Sequence, residues 1–396
     1  MDKPFNMPNP VVFVLTLTAT GLAVARDVAT LGWRVIGVDS DRSRPGCYSR
    51  HIENIKGLSD LPYGLALVDA LSDAARALPV PPIVIPAADD AVQWCIQHRE
   101  TLGSVVCWST GHTTDRAGVL LDKSKFAQAC KDLQIDVPLT LQPANWQDIQ
   151  AFVAHCGLPC IVKPRAGHLW RQRLKGQKLL VPKDMDELKR AFDEIIGDPS
   201  AVVLQELVQG PESNLLVGAV LAGQQGGVRH VLTARKIRQF PRNFGSGSLV
   251  RSEDLADVRQ LSSQIVEQLD YRGLCGTEFK RDERNGRLRL IEINPRPTLW
   301  FDLCRAAGTH LIAAHVQELA GQEPTILQEQ RNATVWRYGV RDAIALMQAG
   351  PRAMLSAATA PHTDADAVFA WDDPMAGVAS LGHTALQALT HLRKHS

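Results

Sequence analysis

Near the start of the chain, short apolar runs alternate with a segment of helical periodicity. Residues 11–17 predict a buried strand, residues 18–21 a tight turn, residues 22–32 a helix, and residues 34–39 a second strand that ends in an acid. This order predicts a β–α–β unit, and therefore a Rossmann-like parallel sheet in the N-terminal part of the chain. A further strand is predicted at residues 83–86, and its carboxyl end should face a ligand cleft, because ligands bind there in open α/β sheets.

The predicted sheet does not carry the signature of a dinucleotide-binding domain. That signature needs three spaced glycines after the first strand, and only Gly21 is present, so a dinucleotide-dependent oxidoreductase is disfavoured. The same region resembles a secretion signal, with Lys3, an apolar stretch to Leu17 and small residues at 23–25. Since its removal would delete the first strand and half of the first helix, we expect a cytoplasmic protein.

A later apolar run carries the most informative polar residues of the chain. Residues 288–293 have strand character, and the period of two places the side chains of Glu292 and Asn294 on one side. Glu278 lies on an earlier strand, and the turn at residues 282–286 predicts a hairpin that joins the two strands. Carboxylate and amide oxygens on one face suit one or two Mg²⁺ ions that bridge a polyphosphate.

The alternative for this segment is a surface hairpin with ordinary charges. Two features argue against it. Glu292 is placed inside an apolar run, where burial of an unpaired carboxylate is costly. Arg296 follows between two prolines, which stiffen the backbone around a cation suited to holding phosphate.

The sequence from Glu292 to Arg296, preceded by a strand glutamate, resembles the magnesium-binding signature of the ATP-grasp superfamily. Three upstream segments match further parts of that fold. They are the lysine-rich opening of a helix, an apolar strand that ends in a lysine, and a strand that leads into a turn, at residues 121–125, 160–164 and 202–212. The resemblance implies that ATP binds here with Mg²⁺, or with Mn²⁺ as an alternative. It further implies that Glu278, Glu292 and Asn294 are metal ligands and that Arg296 is a catalytic residue.

The resemblance also implies which residues hold ATP. In ATP-grasp enzymes two lysines contact the phosphates, so Lys163 is expected at the α- and β-phosphates and either Lys123 or Lys125 close to them. The strand-to-turn segment is the hinge whose backbone reads the adenine edge, chiefly at its second and fourth residues. The hinge residues are Gln205, Glu206, Leu207 and Val208. Glu212, with Asn214 close behind, is the candidate for the ribose hydroxyls. A solvated strand-end lysine and an exposed turn acid are the alternatives for Lys163 and Glu212.

One segment departs from the family pattern. Many ATP-grasp proteins follow the strand lysine with a glycine-rich flap over the phosphates, whereas residues 165–176 here are strongly basic and contain only two glycines. Side chains could supply what backbone amides supply elsewhere, so the way in which this flap covers the phosphates is left open. The spacing of a lysine, a tryptophan and a glycine resembles the carboxylate–amine ligase branch that includes D-aspartate ligase.

A basic segment lies between the hinge and the metal strands. In residues 233–248, several cations and two aromatic residues precede a Gly-Ser-Gly sequence at 245–247. Lys236 and Arg238 are two apart on a predicted strand and share a face, where we expect them to hold a substrate carboxylate and the transferred phosphoryl group. The Gly-Ser-Gly loop would close over the acyl phosphate and keep water away. A solvated loop is the alternative.

Composition narrows the class of protein. The 396 residues are enough for two or three domains. Because 43 Lys and Arg face 42 Asp and Glu, the net charge is +1, and neither nucleic acid nor a membrane surface is an expected partner. No apolar run approaches the roughly 20 residues of a membrane span. Eight scattered cysteines without a CxxC pair are typical of reduced thiols in a cytosolic enzyme.

Together these features predict an α/β protein with four parts. We expect a Rossmann-like parallel domain at residues 1–115, a two-part α+β ATP-grasp domain at 116–200 and 201–330, and a small C-terminal cap at 331–396. The resemblance implies an ATP-dependent ligase that joins a small-molecule carboxylate to an amine through an acyl phosphate. The alternatives are a different nucleophile, chemistry like that of carbamoyl phosphate synthase, and nucleotide binding without turnover. The acid, the amine and the oligomeric state, with a homodimer as one option, are left open.

Overall fold

The computed structural model describes residues 8–109, 114–164, 179–242, 244–325, 327–351, 354 and 362–382. The predicted flap at residues 165–176 lies outside these ranges. The helices are α1 (Ala19–Ala29), α2 (Leu65–Arg76), α3 (Asp89–Gln97), α4 (Arg99–Leu102), α5 (Thr114–Leu121), α6 (Lys123–Asp132), α7 (Trp146–Cys156), α8 (Met185–Ala191), α9 (Ala256–Gln268), α10 (Asp302–Ala306), α11 (Leu311–Leu319) and α12 (Gly339–Ala349). The strands are β1 (Val12–Leu15), β2 (Val35–Val38), β3 (Ile83–Pro86), β4 (Cys107–Trp108), β5 (Thr140–Leu141), β6 (Cys160–Pro164), β7 (Val202–Glu206), β8 (Leu215–Ala222), β9 (Val228–Phe240), β10 (Ser246–Ser252), β11 (Gly273–Arg281), β12 (Leu288–Asn294), β13 (Val335–Arg337) and β14 (Ala365–Asp366).

The N-terminal sheet is parallel, as the β–α–β pattern predicts. Its strand order is β2-β1-β3-β4, and β1 and β3 are apolar and fully buried because helices cover both faces. The predicted turn at residues 18–21 was wrong, since α1 already begins at Ala19. The chain turns earlier, at Thr16, which has a φ of 73°. Gly21 then passes close to the Thr16 carbonyl oxygen, where a Cβ atom would clash.

A small antiparallel sheet follows, with the strand order β5-β7-β6. Helices α7 and α8 pack against it around a separate apolar core that includes Phe152, Val162 and Leu204. Both predicted strands of this region, β6 with its lysine and β7 with the hinge, are confirmed. The sheet therefore holds the two segments that were expected to contact opposite ends of a nucleotide.

The largest sheet has seven strands in the order β12-β11-β8-β9-β10-β13-β14. Strands β11 and β12 pair antiparallel, so the predicted hairpin is confirmed. One face packs on α9 through residues such as Leu216 and Phe279. The opposite face, which carries Val217 and Ala234, shares a core with α1, α11 and the N-terminal sheet. Residues that point to this second face therefore lie between the large sheet and the N-terminal part.

The C-terminal segment continues the large sheet. Strand β13 pairs with β10, and β14 pairs with β13. Strand β14 is short and ends at Asp366. Among the described residues, no helix is both long enough and apolar enough to cross a bilayer. The observed α/β architecture agrees with the predicted fold class, and the proposed domain boundaries remain predictions.

Candidate active site

The metal end of the site lies on the β11–β12 hairpin. Glu278 and Glu292 are paired directly across the two strands, and the Asn294 amide nitrogen donates to a Glu292 carboxylate oxygen at 3.0 Å. The three side chains therefore lie together, as the strand period predicts. Two carboxylates directly opposite each other on a sheet repel, and a cation between them would remove that repulsion.

Glu292 reaches this face because of an irregularity in the hairpin. The residue is exposed, although Leu290 and Ile293 on either side of it are buried. The register shifts after Glu278, so that Phe279 pairs with Leu290 and Ile291 is an extra residue. Without this bulge, Glu292 would share the core-facing side of Leu290. A bulge that re-aims a side chain in this way is common beside active sites.

Lys236 on β9 contacts the more buried carboxylate of the pair. Its Nζ lies 2.5 Å from a Glu278 oxygen, and the residue is only 4% exposed. Burial raises the pKa of Glu278, Lys236 opposes the rise, and Glu292 adds to it. Two carboxylates and an amide oxygen are donors that fit a hard divalent cation such as Mg²⁺. No cluster of three His, Cys, Asp or Glu side chains occurs among the described residues, so further ligands would come from phosphate and water.

Lys163, the lysine at the end of β6 that is predicted to contact phosphate, lies close to the metal end. Lys163 Nζ donates to Gln205 at 2.7 Å, and Gln205 donates to the Thr140 hydroxyl at 3.1 Å, which fixes the ammonium group. Burial lowers the pKa of Lys163 and nearby Lys123 lowers it further, whereas Glu292 and Glu278 raise it. Two neighbouring cations are an arrangement that a polyphosphate stabilises. The interaction supports Lys123, rather than Lys125, as the second phosphate lysine.

The hinge after β7 is held by side chains as well as by its backbone. Glu206 forms ion pairs with Arg284 at 2.8 Å and with Arg289 at 3.2 Å, and it accepts from the Leu139 amide at 3.2 Å. Burial alone would raise the pKa of Glu206, but these donors and charges hold it below its usual range. The Glu206 amide donates to the Leu139 carbonyl. An adenine contact by this residue would therefore have to use its carbonyl group.

The remaining hinge residues and the ribose candidates follow directly in the chain. Leu207 is partly buried and Val208 is 3% exposed, so their side chains face the protein rather than solvent. Glu212 opens a 3₁₀ turn (Glu212–Asn214), where its charge acts on Lys280. Asn214 donates to the Arg281 carbonyl at 3.1 Å, so its side chain supports the turn. This contact favours Glu212 over Asn214 as the residue that meets ribose.

Arg296 connects the metal end to the N-terminal sheet. Its Nε lies 2.6 Å from a carboxylate oxygen of Asp89, at the start of α3. Asp89 comes just after β3, so the carboxyl end of that strand lies beside Arg296. A bound anion near Arg296 would therefore lie between the N-terminal sheet and the hairpin.

The basic segment belongs to strand β9 as far as Phe240, so this part of it is not a solvated loop. Lys236 and Arg238 share the face of Glu278, because Glu278 pairs with Val217, Val217 pairs with Ala234, and alternate β9 residues follow. The expectation of a Gly-Ser-Gly loop over this face was wrong. Ser246 and the glycine after it already pair with β9 as the first residues of β10.

Sequence reasoning missed the acidic partners of two of these cations. Arg238 forms a two-pronged ion pair with Asp342 on α12, at 2.8 Å and 2.7 Å, and Arg296 pairs with Asp89. These partners are separated by 104 and 207 residues in the chain. No local pattern could have linked them. The acidic start of α3 was the one available signal.

Comparison with known proteins agrees with this geometry. A family model described as an ATP-grasp domain matches residues 120–299. The D-aspartate ligase of Enterococcus faecium (strain Aus0004) is 21% identical over 277 residues, which are 65% of this chain and 64% of that protein. A formate-dependent phosphoribosylglycinamide formyltransferase of Vibrio parahaemolyticus (serotype O3:K6, strain RIMD 2210633) is 26% identical over 46% of this chain and 42% of its own length. The matched region thus spans less than two thirds of either protein.

Solved structures share the fold over a larger part of the chain. The N5-carboxyaminoimidazole synthetase from Staphylococcus aureus, complexed with ADP, has a TM-score of 0.64 at 16% identity and covers 84% of this chain and 83% of its own. The biotin carboxylase domain dimer of the Hydrogenobacter thermophilus 2-oxoglutarate carboxylase, in complex with MgADP, ADP and bicarbonate, has a TM-score of 0.60 at 16% identity. It covers 82% of this chain and 73% of its own. At these identities the likeness concerns the fold alone.

Proposed function

We propose that the protein is an ATP-dependent ligase that joins a carboxylate to an amine, on the basis of the match of residues 120–299 to an ATP-grasp domain. The observation that carries the proposal is the facing pair of Glu278 and Glu292, with Asn294 beside it and two lysines nearby. This is a set of hard oxygen ligands next to cations that suit phosphate. A Mg²⁺ ion held there would neutralise charge on the transferred phosphoryl group.

In the proposed reaction, an oxygen of the substrate carboxylate attacks the γ-phosphorus of ATP. The bond from that phosphorus to the β–γ bridging oxygen breaks, and ADP leaves. The amine nitrogen then attacks the acyl carbon, the bond from that carbon to the phosphate oxygen breaks, and the nitrogen loses a proton. Lys163 and Lys123 would hold the phosphates, while Lys236, Arg238 and Arg296 would orient the anions on the sheet face. Positioning and charge neutralisation supply most of the catalysis in such a transfer.

The protein names found by comparison suggest which acids to test first. Aspartate is one candidate, because a D-aspartate ligase is among the relatives. Bicarbonate is a second candidate, since a structure of the same fold contains it. We further propose a cytoplasmic location, which is supported by eight free cysteines. A homodimer is also proposed, with the dimer of the biotin carboxylase domain as support.

A substrate screen tests the ligase proposal. D-aspartate, L-aspartate, bicarbonate and a panel of other acids would each be combined with a panel of amines, MgATP and the protein. ADP release that requires both an acid and an amine, together with an amide product of the expected mass, is the supporting result. Stabilisation of the protein against heat by NAD or NADP, but not by MgATP, would instead favour the disfavoured oxidoreductase. MgATP binding without acid-dependent ADP release would favour a nucleotide-binding protein without turnover.

A further inference from the structure

Helix α12 places a buried acid on the site face of the large sheet. Asp342 is 2% exposed and accepts from Nε and Nη2 of Arg238 at 2.8 Å and 2.7 Å. The Ser248 hydroxyl on β10 donates to the same acid at 3.1 Å. Ser248 therefore holds the Asp342 carboxylate in place, and Asp342 in turn holds the Arg238 guanidinium group.

This contact uses only one edge of the guanidinium group. Arginine carries five N–H donors in a planar fork, and Asp342 occupies the edge formed by Nε and Nη2. The side of the group that carries Nη1 points away from Asp342. The Arg238 side chain is 23% exposed, whereas that of Asp342 is 3% exposed, so the arginine is accessible to solvent and the acid is not. An anion that approaches the free edge of the guanidinium group can therefore bind it without displacing Asp342.

Stability alone is a weak explanation for such a pair. Burying two charges costs desolvation energy that their attraction often fails to recover, so apolar residues of similar size are frequently as stable. An acid that holds an arginine in one orientation reduces the freedom that the arginine would otherwise lose on binding an anion. Lys236, two residues earlier on the same face, already contacts Glu278. Arg238, unlike Lys236, has a partner that does not belong to the metal end.

We propose that Asp342 is a positioning residue, which orients Arg238 so that its Nη1 side binds an oxyanion of the reaction. That oxyanion is the carboxylate of the acid substrate or the phosphate of the acyl phosphate. Both groups present at least two oxygens that can accept hydrogen bonds from arginine. This inference rests on the proposed ligase function. It assigns a role to the C-terminal segment, which reaches the site through α12.

The test follows the Arg238 Nε–H signal by ¹⁵N NMR in protein saturated with MgADP. Inorganic phosphate, and separately acetate, would be titrated in at constant ionic strength, and the signal would be assigned by its loss in Arg238→Lys. In the wild type, at least one of the two anions should shift this signal and yield a Kd. Asp342→Asn should weaken that Kd about tenfold, the scale of a lost hydrogen bond to a charged group. Ser248→Ala removes a neutral contact to Asp342 and should weaken it about threefold.

A second buried pair provides the matched control. Asp373 and Arg26 are 1% and 4% exposed and lie 3.1 Å apart, with Arg26 on α1 and neither residue on the strands that carry the site. Asp373→Asn should therefore lower thermal stability without changing the Kd or the Arg238 signal. A merely structural role for Asp342 would make Asp342→Asn behave in the same way.

Each other outcome has a definite meaning. Failure of the wild type to bind MgADP would overturn the proposed function itself. Normal MgADP binding with no anion-dependent shift at Arg238 would overturn the anion site alone. Tighter anion binding in Asp342→Asn would mean that the acid competes with substrate for Arg238, which is the opposite of positioning. Should Asp342→Asn fail to fold, an unchanged Kd in Ser248→Ala would reject the proposal.

Discussion

The hinge after β7, where adenine is proposed to bind (the adenine end), differs from the metal end in how its charges are balanced. At the adenine end, Glu206 contacts both Arg284 and Arg289. Asp282, whose side chain is fully buried, contacts Arg284 at 2.6 Å. Each acid there has a cation from the protein itself.

The metal end is only partly balanced, because Lys236 pairs with Glu278, whereas Glu292 directly opposite accepts from the neutral amide of Asn294. Glu278 and Glu292 face each other, and Lys163 lies near Lys123. Like charges placed together are unfavourable for the protein alone, and they become favourable only when a ligand of opposite charge is shared. Balanced charges therefore hold the hinge in shape, whereas the metal end retains like charges side by side that the proposed metal ion and phosphates would neutralise.

The largest effect should follow from removing a metal carboxylate. Glu292→Ala is expected to lower ATP turnover by a factor of at least about 10³, the scale of lost transition-state charge stabilisation. The fold should stay intact because the residue is exposed. Turnover and far-UV circular dichroism would be measured together. Glu53→Ala is the control, because Glu53 is a similarly half-exposed acid in an ion pair with Arg34. Full activity in Glu292→Ala would remove the metal assignment.

A slightly smaller effect is expected on the basic face of β9. Lys236→Met or Arg238→Gln should lower turnover by about 10²–10³, because each removes one preorganised contact to the transferred group. ATP affinity should change little, since the hinge holds adenine at a distance. Arg235→Gln is the matched control on the same strand, where Arg235 points to the other face and pairs with Glu253 at 2.8 Å.

Turnover and ATP affinity, measured together, distinguish the possible roles of Lys236 and Arg238. Weak ATP binding with normal turnover at saturation would make Lys236 and Arg238 ground-state nucleotide ligands, and the acyl phosphate would then have to be placed elsewhere. No change in either quantity would make the basic face ordinary surface.

The adenine end should respond in stability rather than in turnover. Glu206→Gln is expected to lower the free energy of unfolding by about 1–2 kcal/mol, because it weakens hydrogen bonds to charged groups. The effect is not larger, because solvent partly screens the charge of Arg284. Turnover at saturating MgATP should be near normal. Chemical unfolding and steady-state kinetics would be compared. A large loss of turnover with unchanged stability would make Glu206 part of the chemistry.

The same acid sets a pH dependence. Because its pKa is lowered in the folded state, its contribution to stability is present above its ordinary value, which is near 4.3, and is lost as the pH falls through the lowered value. The stability of the wild type should therefore fall more steeply than that of Glu206→Gln over this acidic range. Parallel pH profiles would contradict the prediction.

Local features of the molecule were predictable from the sequence. The parallel N-terminal strands, the β11–β12 hairpin and the hinge strand each depend on the spacing of neighbouring residues. Lys163 at a strand end and Glu292 beside Asn294 could be recognised for the same reason, because a strand alternates its sides with a fixed period.

Features set by distant contacts could not be predicted. The bulge after Glu278, which turns Glu292 to the site face, depends on how two strands pair rather than on either strand alone. The pairing of Arg238 with Asp342 depends on where α12 packs, and α12 lies in a segment to which the sequence assigned no chemistry. The Gly-Ser-Gly sequence resembled a loop, but pairing with β9 makes its second and third residues part of β10.

The smallest predicted effect is also the sharpest test of the comparison between the two ends. Glu292→Gln keeps the size of the side chain and an oxygen that can accept from Asn294, but it removes the charge opposite Glu278. With metal removed by EDTA, this variant should be more stable than the wild type by about 0.2–1 kcal/mol, the cost of like charges directly opposite on a sheet. With saturating MgADP, the order should reverse, because ligand binding stabilises the folded wild type more strongly than the variant. Thermal unfolding under both conditions measures the two differences. A variant that is less stable than the wild type without metal would mean that the metal end is balanced internally, as the adenine end is, and that the contrast between them does not identify the ligand site.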